Sequence, residues 1–534
     1  MRFSVSTLQK CLEVGARSDY IGALKRLQVV DKSLHLGDLD LTLSDHKLRD
    51  FAEARAKECR DLVQRYPNSP HVSYALQESV ARRYTLVPAA TKPDGLRVAL
   101  VKMGTGRWWI RQLRSLRRKL LDSIQRDIGL VQRHAGGYCG EHALSLFTEQ
   151  QERNAQYLEG SKLINELGEE LSLAEVTSHT VSNPAIRRAE LMVRLRGFEA
   201  VADLLGHAGS FYTLTTPSAF HATLHDGRPN PQYRGHSPKD GQIWLCHTWE
   251  LVRAKLHREG LRPYGFRAAE PHHDGTPHWH FVLFAAPEDQ ERITAIFRSH
   301  ALRDPEPGSA KHRFKAIAID KAKGSATGYF AKYISKNIDG AHIETDLHGN
   351  DAQQSARRIT AWARTWDIRQ FQQVGGPSVT VWRELRRMRE ADEHPVMESA
   401  RLAADSSDWA AFVMAMGGVD VARCDRTIEP YHALRPSIDV LTGETSIETQ
   451  AWHGGPRVAP IQGLRVGTEV RITRTHVWTA VPKSQLPDSD RNSWARSVPA
   501  ASNEYGSQRR AAPPWTRVNN CTSTPTHPFT EACP

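Results

Sequence analysis

No apolar run in this chain approaches the roughly 20 residues needed to span a bilayer, so no part of it is expected to cross or enter a membrane. Met1-Arg2-Phe3-Ser4 lacks the apolar stretch and small-residue cleavage site of a secretory leader, and export is not expected either. Cysteine is sparse, with seven in 534 residues (Cys11, Cys59, Cys139, Cys246, Cys424, Cys521, Cys533) and no Cys-x-x-Cys pair among them. An odd, scattered set argues against a disulfide framework or a cysteine zinc site and fits a reducing cytoplasm. The chain also lacks a Gly-x-x-x-x-Gly-Lys-Ser/Thr loop, which argues against an ATP-driven helicase. No internal repeat is visible.

Lys and Arg outnumber Asp and Glu 71 to 60, giving a net charge of +11 that favours an anionic partner such as nucleic acid. The length predicts two to four domains. Residues 1–104 carry short helical stretches, such as 48–66, and no motif. Residues 105–208 read as helical and basic, a candidate DNA-binding region: Arg111, Arg114, Arg117 and Arg118 alternate with apolar residues, and Asn183-Pro184 opens a helix over 186–197 with a continuation to 205. From 209 to 390 the pattern changes to strand 211–217, helix 243–260, a hairpin of 264–270 and 278–284, helix 287–300, strand 314–319 and helix 327–337. A further strand and a basic helix over 381–390 follow. That order predicts an α+β fold, a central antiparallel sheet flanked by helices. Residues 391–480 form a C-terminal region, and 481–534, rich in Ser, Pro, Arg and Asn, reads as a partly disordered tail.

Within the hairpin, His278 and His280 fall on one strand face, while Trp279, Phe281 and Leu283 fall on the other and should pack on a core. Chance alone produces roughly one His-x-His at this composition, so the apolar reverse face carries the argument. Two histidines leave room for a third ligand and open positions, as a catalytic divalent metal requires. Glu270 is the candidate third ligand if the turn is odd in length, which would pair it with His280; a two-residue Asp274-Gly275 turn would put it on the wrong face. Pro271 and Pro277 favour the longer turn, and His272 and His273 remain alternatives. Two imidazoles and a carboxylate suit Mg2+ or Mn2+, and would also accept Zn2+. Val282 stands where a histidine-triad hydrolase needs its third His, and His280 where a two-motif phosphoesterase needs a hydroxyl, which counts against both.

About fifty residues on, Tyr329 and Tyr333 stand at i, i+4, each followed three residues later by a lysine, Lys332 and Lys336. The spacing puts both phenols on one helix face. A phenol is a poor nucleophile at neutral pH, since ionising it costs about 4 kcal/mol. A metal polarising a phosphate and lysines stabilising the charge that develops would meet that cost. The product would be a 5′-phosphotyrosine and a free 3′-OH, with the bond energy retained and no ATP needed to rejoin.

The strand 211–218, the hairpin 270–284 and the helix 329–339, in that order, resemble the HUH endonucleases. More narrowly the chain resembles the replication gene A protein (GPA) family of tailed bacteriophages and prophages, over about 105–390, including the segments 181–191, 370–377 and 381–387; the tail segment 515–521 also looks familial. The resemblance implies a rolling-circle replication initiator that nicks one strand of origin DNA in the host cytoplasm. It implies His278 and His280 as metal ligands, Tyr329 and Tyr333 as alternating nucleophiles, and unwinding by a host helicase. The rival readings are a transposase or mobilisation relaxase of the same superfamily and a non-catalytic, sequence-specific DNA-binding regulator.

Overall fold

The structure, a computed structural model, describes residues 35–66, 93–304, 310–341, 351–435 and 457–482, with short pieces between 75 and 84 and between 437 and 449. The expected tail beyond 482 and the segment 515–521 lie outside the described residues.

Five strands make the central sheet: β1 (Ala208–Thr215), β2 (Tyr264–Pro271), β3 (Pro277–Ala285), β4 (Phe314–Ala318) and β5 (Phe371–Val374), in the order β4-β1-β3-β2-β5. Every neighbouring pair is antiparallel. The period-2 alternation of β1 and β3 gives the sheet two different faces. Tyr212, Leu214, Trp279, Phe281 and Leu283 face one way and are buried. They meet α5 (Pro238–Arg258), α6 (Gln290–Ala301) and α8 (Ala352–Trp366) through Trp249, Phe297 and Trp362. Full burial of each large apolar side chain stabilises the layer by roughly 2–3 kcal/mol.

The opposite face is also apolar along most of its length. Tyr264, Phe266, Ala268, Val282 and Phe284 pack under α4 (Pro184–Leu205) and α7 (Ala326–Ile338). Asn183 caps α4 through Ala185 N–H, with Pro184 in the first turn, and the helix continues unbroken through Gly197. A Cβ at Gly197 would lie 2.4 Å from Trp409 Cβ, so the glycine permits close helix contact at the cost of propensity. Towards the hairpin turn the same face becomes polar, with Glu270, His278 and His280. Both faces of the sheet are thus covered over most of their area, and the polar patch lies at the hairpin end of one of them.

Several expectations are refined. The helix α5 starts at Pro238, five residues before the expected Ile243, because Ser237 and Asp240 form a capping box. The basic helix expected over 381–390 spans only Val379–Leu385. Helix α8 was not expected, nor were the strands Ser161–Ile164 and Glu170–Ser172. Packing runs across the boundaries drawn at 104, 390 and 480. Leu48 and Ala52 of α1 (Asp45–Arg65) pack with Trp109 and Leu113 of α2 (Gly106–Asp127). Met397, Trp409 and Leu464 share a core with Phe198 and Trp382. Thr479–Pro482 pairs with Ser161–Ile164.

Candidate metal and tyrosine site

The hairpin turn decides where Glu270 goes. Pro271 pairs with Pro277, leaving a five-residue loop, 272–276. The odd length puts Glu270 on the histidine face, but its partner is His278 rather than His280; Ala268 lies opposite His280. The register differs by two residues along the strand from the expected one because Pro271 and Pro277 sit within the ladder as its last pair. Asp274 shapes the loop: its carboxylate accepts from Thr276 N at 3.0 Å, Thr276 Oγ1 at 2.8 Å and Ala222 N at 2.9 Å. Gly275 follows at φ +79°, with its N–H donated to His272 O at 2.9 Å. Arg126, at the end of α2, locks the turn by donating to Asp274 O at 2.7 Å and Thr276 Oγ1 at 3.1 Å.

One ligand atom from each of Glu270, His278 and His280 lies within 4.8 Å of the others, the one such group among the described residues. His280 Nε2 stands 3.8 Å from Glu270 Oε2, while its Nδ1 lies 3.1 Å from Thr213 Oγ1 on β1, a contact that orients the ring. Asn337 donates to Glu270 Oε1, and Lys336 Nζ lies 3.3 Å from Oε2. Burial holds all three neighbouring imidazoles neutral: His272 and His278 titrate well below the ordinary range, and His280 is pushed down to about 4. His278 Nδ1 is buried without a partner, as is Nε2 of His272, whose ring centroid lies 4.0 Å from that of His278. Two neutral imidazoles, a carboxylate and an orphaned buried nitrogen are the donor set a divalent cation satisfies. The residues present therefore fit a metal.

The tyrosines stand over this patch. Ser325 and Glu199 hold the start of α7, Ser325 accepting from Gly328 N at 2.9 Å and Glu199 from Ala326 N and Thr327 N at 2.6 and 3.1 Å. Phe330, Ile334 and Asn337 turn inward, which leaves Tyr329 and Tyr333 on the adjoining face. Tyr333 stacks on His280 with ring centroids 4.4 Å apart. Tyr329, 40% exposed, lies against Phe211 at 4.2 Å, and its hydroxyl is 3.4 Å from that of Tyr333. Burial, then the Tyr329 hydroxyl and the Glu270 carboxylate, raise the pKa of Tyr333 well above that of a free phenol. Lys332 Nζ sits 3.8 Å from the Tyr329 ring centroid and 5.2 Å from that of Tyr333.

A family model described as bacteriophage replication gene A protein (GPA) matches residues 50–341. The chain belongs to the GPA family. Among its relatives, the replication gene A protein of Escherichia phage 186 is 35% identical over 92% of this chain and 70% of its own length. That of Escherichia phage P2 is 37% identical over 72% of this chain and 52% of its own. A probable replication endonuclease from a prophage-like region of Salmonella typhimurium is 32% identical over 79% of this chain and 52% of its own. This GPA-family chain thus spans about half the length of the last two. No solved structure matches it.

The structure brings together all seven residues singled out in the GPA-family sequence: Glu270, His278, His280, Tyr329, Lys332, Tyr333 and Lys336. Sequence reasoning missed Thr213, Asn337 and Phe211, which reach the site from β1 and α7 and carry no local signature. Of the alternative ligands, His272 lies beside His278, whereas His273 turns towards His225 at 6.0 Å. The arginines of α2 are largely engaged within the protein: Arg114 with Asp45, Arg117 with Leu43 O and Arg118 with Arg364 O. No helix among the described residues is long and apolar enough to cross a membrane.

Proposed function

We propose that this chain is a phage replication initiator, an HUH-type endonuclease that nicks one strand of origin DNA by tyrosine attack. The observation that carries this reading is the pair of phenol hydroxyls, 3.4 Å apart, on a helix laid over a two-histidine, one-carboxylate patch. Glu270, His278 and His280 would hold Mg2+ or Mn2+, which supplies polarisation of the phosphate oxygens when bound. The phenol oxygen of Tyr329 or Tyr333 attacks phosphorus and loses its proton, and the bond from phosphorus to the 3′-oxygen breaks. That oxygen takes up a proton, leaving a 3′-OH primer and a 5′-phosphotyrosine. Lys332, over both rings, stabilises the negative charge that develops there. Lys336 offsets the charge of Glu270 and so holds the carboxylate in place.

The second tyrosine lets the enzyme cleave again while still joined to the first end, and the stored bond energy drives rejoining without ATP. A relaxase with one working tyrosine fits less well, because the two hydroxyls lie only 3.4 Å apart beside the patch that Tyr333 stacks on. A host helicase would open the duplex. The test is incubation with single-stranded origin DNA plus Mn2+, followed by denaturing electrophoresis. A DNA-dependent shift that survives denaturant is expected; folded protein that binds the DNA without such a shift supports the regulator reading instead.

A further inference from the structure

We propose that the exposed edge of the central sheet beside the tyrosines, β4 with the adjoining row of β1, is a binding shelf for unpaired bases and phosphates of single-stranded DNA. This rests on the nicking function proposed above and assigns residues outside its chemistry.

Cross-strand pairing places Ile317 opposite Phe211 and Lys315 opposite Thr213, so all four side chains share the face that carries the histidines. Thr213 in turn pairs with His280, which puts Lys315 two strand spacings, roughly 10 Å, from that histidine. Ile317 is 42% exposed on an edge strand, and the partly covered Phe211 ring lies against Tyr329. An apolar strip Ile317–Phe211–Tyr329 thus leads from the sheet edge to a nucleophile. Cations flank it: Lys315 is exposed with no acidic partner among the described residues, and Lys332 lies over the Tyr329 ring. Of the seven Lys or Arg residues between 310 and 336, Lys321, Lys323 and Lys336 are paired with Asp203, Asp320 and Glu270, and Arg313 is buried, so Lys315 and Lys332 are the cations beside the strip.

Apolar side chains fringed by lysines suit a polyanion that also offers flat apolar faces, which single-stranded nucleic acid does and duplex does not. An acidic peptide would use the lysines but leave Ile317 and Phe211 in water.

The test is fluorescence anisotropy of the full chain with fluorescein-labelled oligothymidylate in EDTA, where nicking is not scored. Ile317→Ala should weaken binding by up to roughly ten-fold, with Ile317→Tyr restoring it. Lys315→Ala should reduce the slope of log Kd against log salt concentration by about 0.7, the value for one single-strand phosphate contact. Circular dichroism identical to wild type excludes misfolding at these exposed positions. Wild-type affinity and slope in both variants would overturn the proposal. So would an equal loss on duplex of the same length, or displacement by polyglutamate as effective as by unlabelled oligothymidylate. Adduct formation with Mn2+ is scored separately on wild type: an adduct without the shelf effects sinks only the shelf, and shelf effects without an adduct sink only the nicking reaction.

Discussion

At the scale of single residues, the site combines an orphaned imidazole nitrogen with a carboxylate that already has partners. If His278 is a metal ligand, His278→Ala should lower Mn2+ affinity by at least about ten-fold in titration calorimetry; unchanged affinity would remove it from the ligand set. Burial also makes these histidines a liability in acid. His280 protonates near 6.5 in the unfolded chain and only at about 4 when folded. Between those values the unfolded state binds more protons, so stability falls as pH drops from 6.5 towards 4, by roughly 3 kcal/mol for this group. In EDTA the urea midpoint should be clearly lower at pH 5 than at pH 7; equal midpoints would show that the ring is not held neutral by burial. Much of this was legible in the sequence. Alternation alone put His278 and His280 opposite Trp279 and Phe281, and the turn has the odd, longer form expected, although Pro271 and Pro277 close the ladder instead of interrupting it. The pairing of Glu270 with His278 was not legible, because it depends on Asp274 and Arg126 closing a five-residue loop, and Arg126 is 148 residues distant.

At the scale of elements, α7 is positioned from its first turn. Glu199 of α4 accepts two of its free N–H groups, and the far end meets Glu270 through Asn337. Replacing Glu199 with Ala should cost about 1 kcal/mol and let the tyrosines drift from the patch. Adduct formation should slow several-fold while Mn2+ affinity holds, since all three ligands lie on the sheet; an unchanged rate would show that the cap does not set the tyrosines. The helix itself was readable from Tyr329, Phe330, Tyr333 and Ile334. Helix α8 was not, because Arg357, Arg358 and Arg364 interrupt its apolar run even though Ile359, Trp362 and Trp366 recur at three- and four-residue steps. Its role is clear only in three dimensions, where Trp362 Nε1 donates to Gly275 O at 2.8 Å and supports the hairpin turn from beneath.

At the scale of the whole molecule, the regions that composition separated are tied to one another through the site. Arg126 joins the N-terminal helices to the hairpin, donating also to His236 O at 2.9 Å and Phe220 O at 3.1 Å, with the buried Asp274 carboxylate 4.0 Å away. Composition marks a shift near 208, but burial of one guanidinium overrides it. Arg126→Met should destabilise the chain by about 3–5 kcal/mol, since it removes a buried cation and four hydrogen bonds and leaves the Asp274 carboxylate only His221, 3.4 Å away, as a charge partner. The loss should appear as a single lowered transition that carries Mn2+ binding with it; a Tm within a degree of wild type would contradict that coupling.

The proposed reaction joins Tyr329 and Tyr333 covalently to DNA over the Glu270, His278 and His280 patch. The most direct measurement is peptide mass spectrometry of nuclease-trimmed protein after reaction with single-stranded origin DNA and Mn2+. A nucleotide attached through a 5′-phosphate to Tyr329 or Tyr333, lost only when both are replaced by Phe, is the predicted result. Cleaved DNA with neither tyrosine modified, or a nucleotide on another residue, would contradict it.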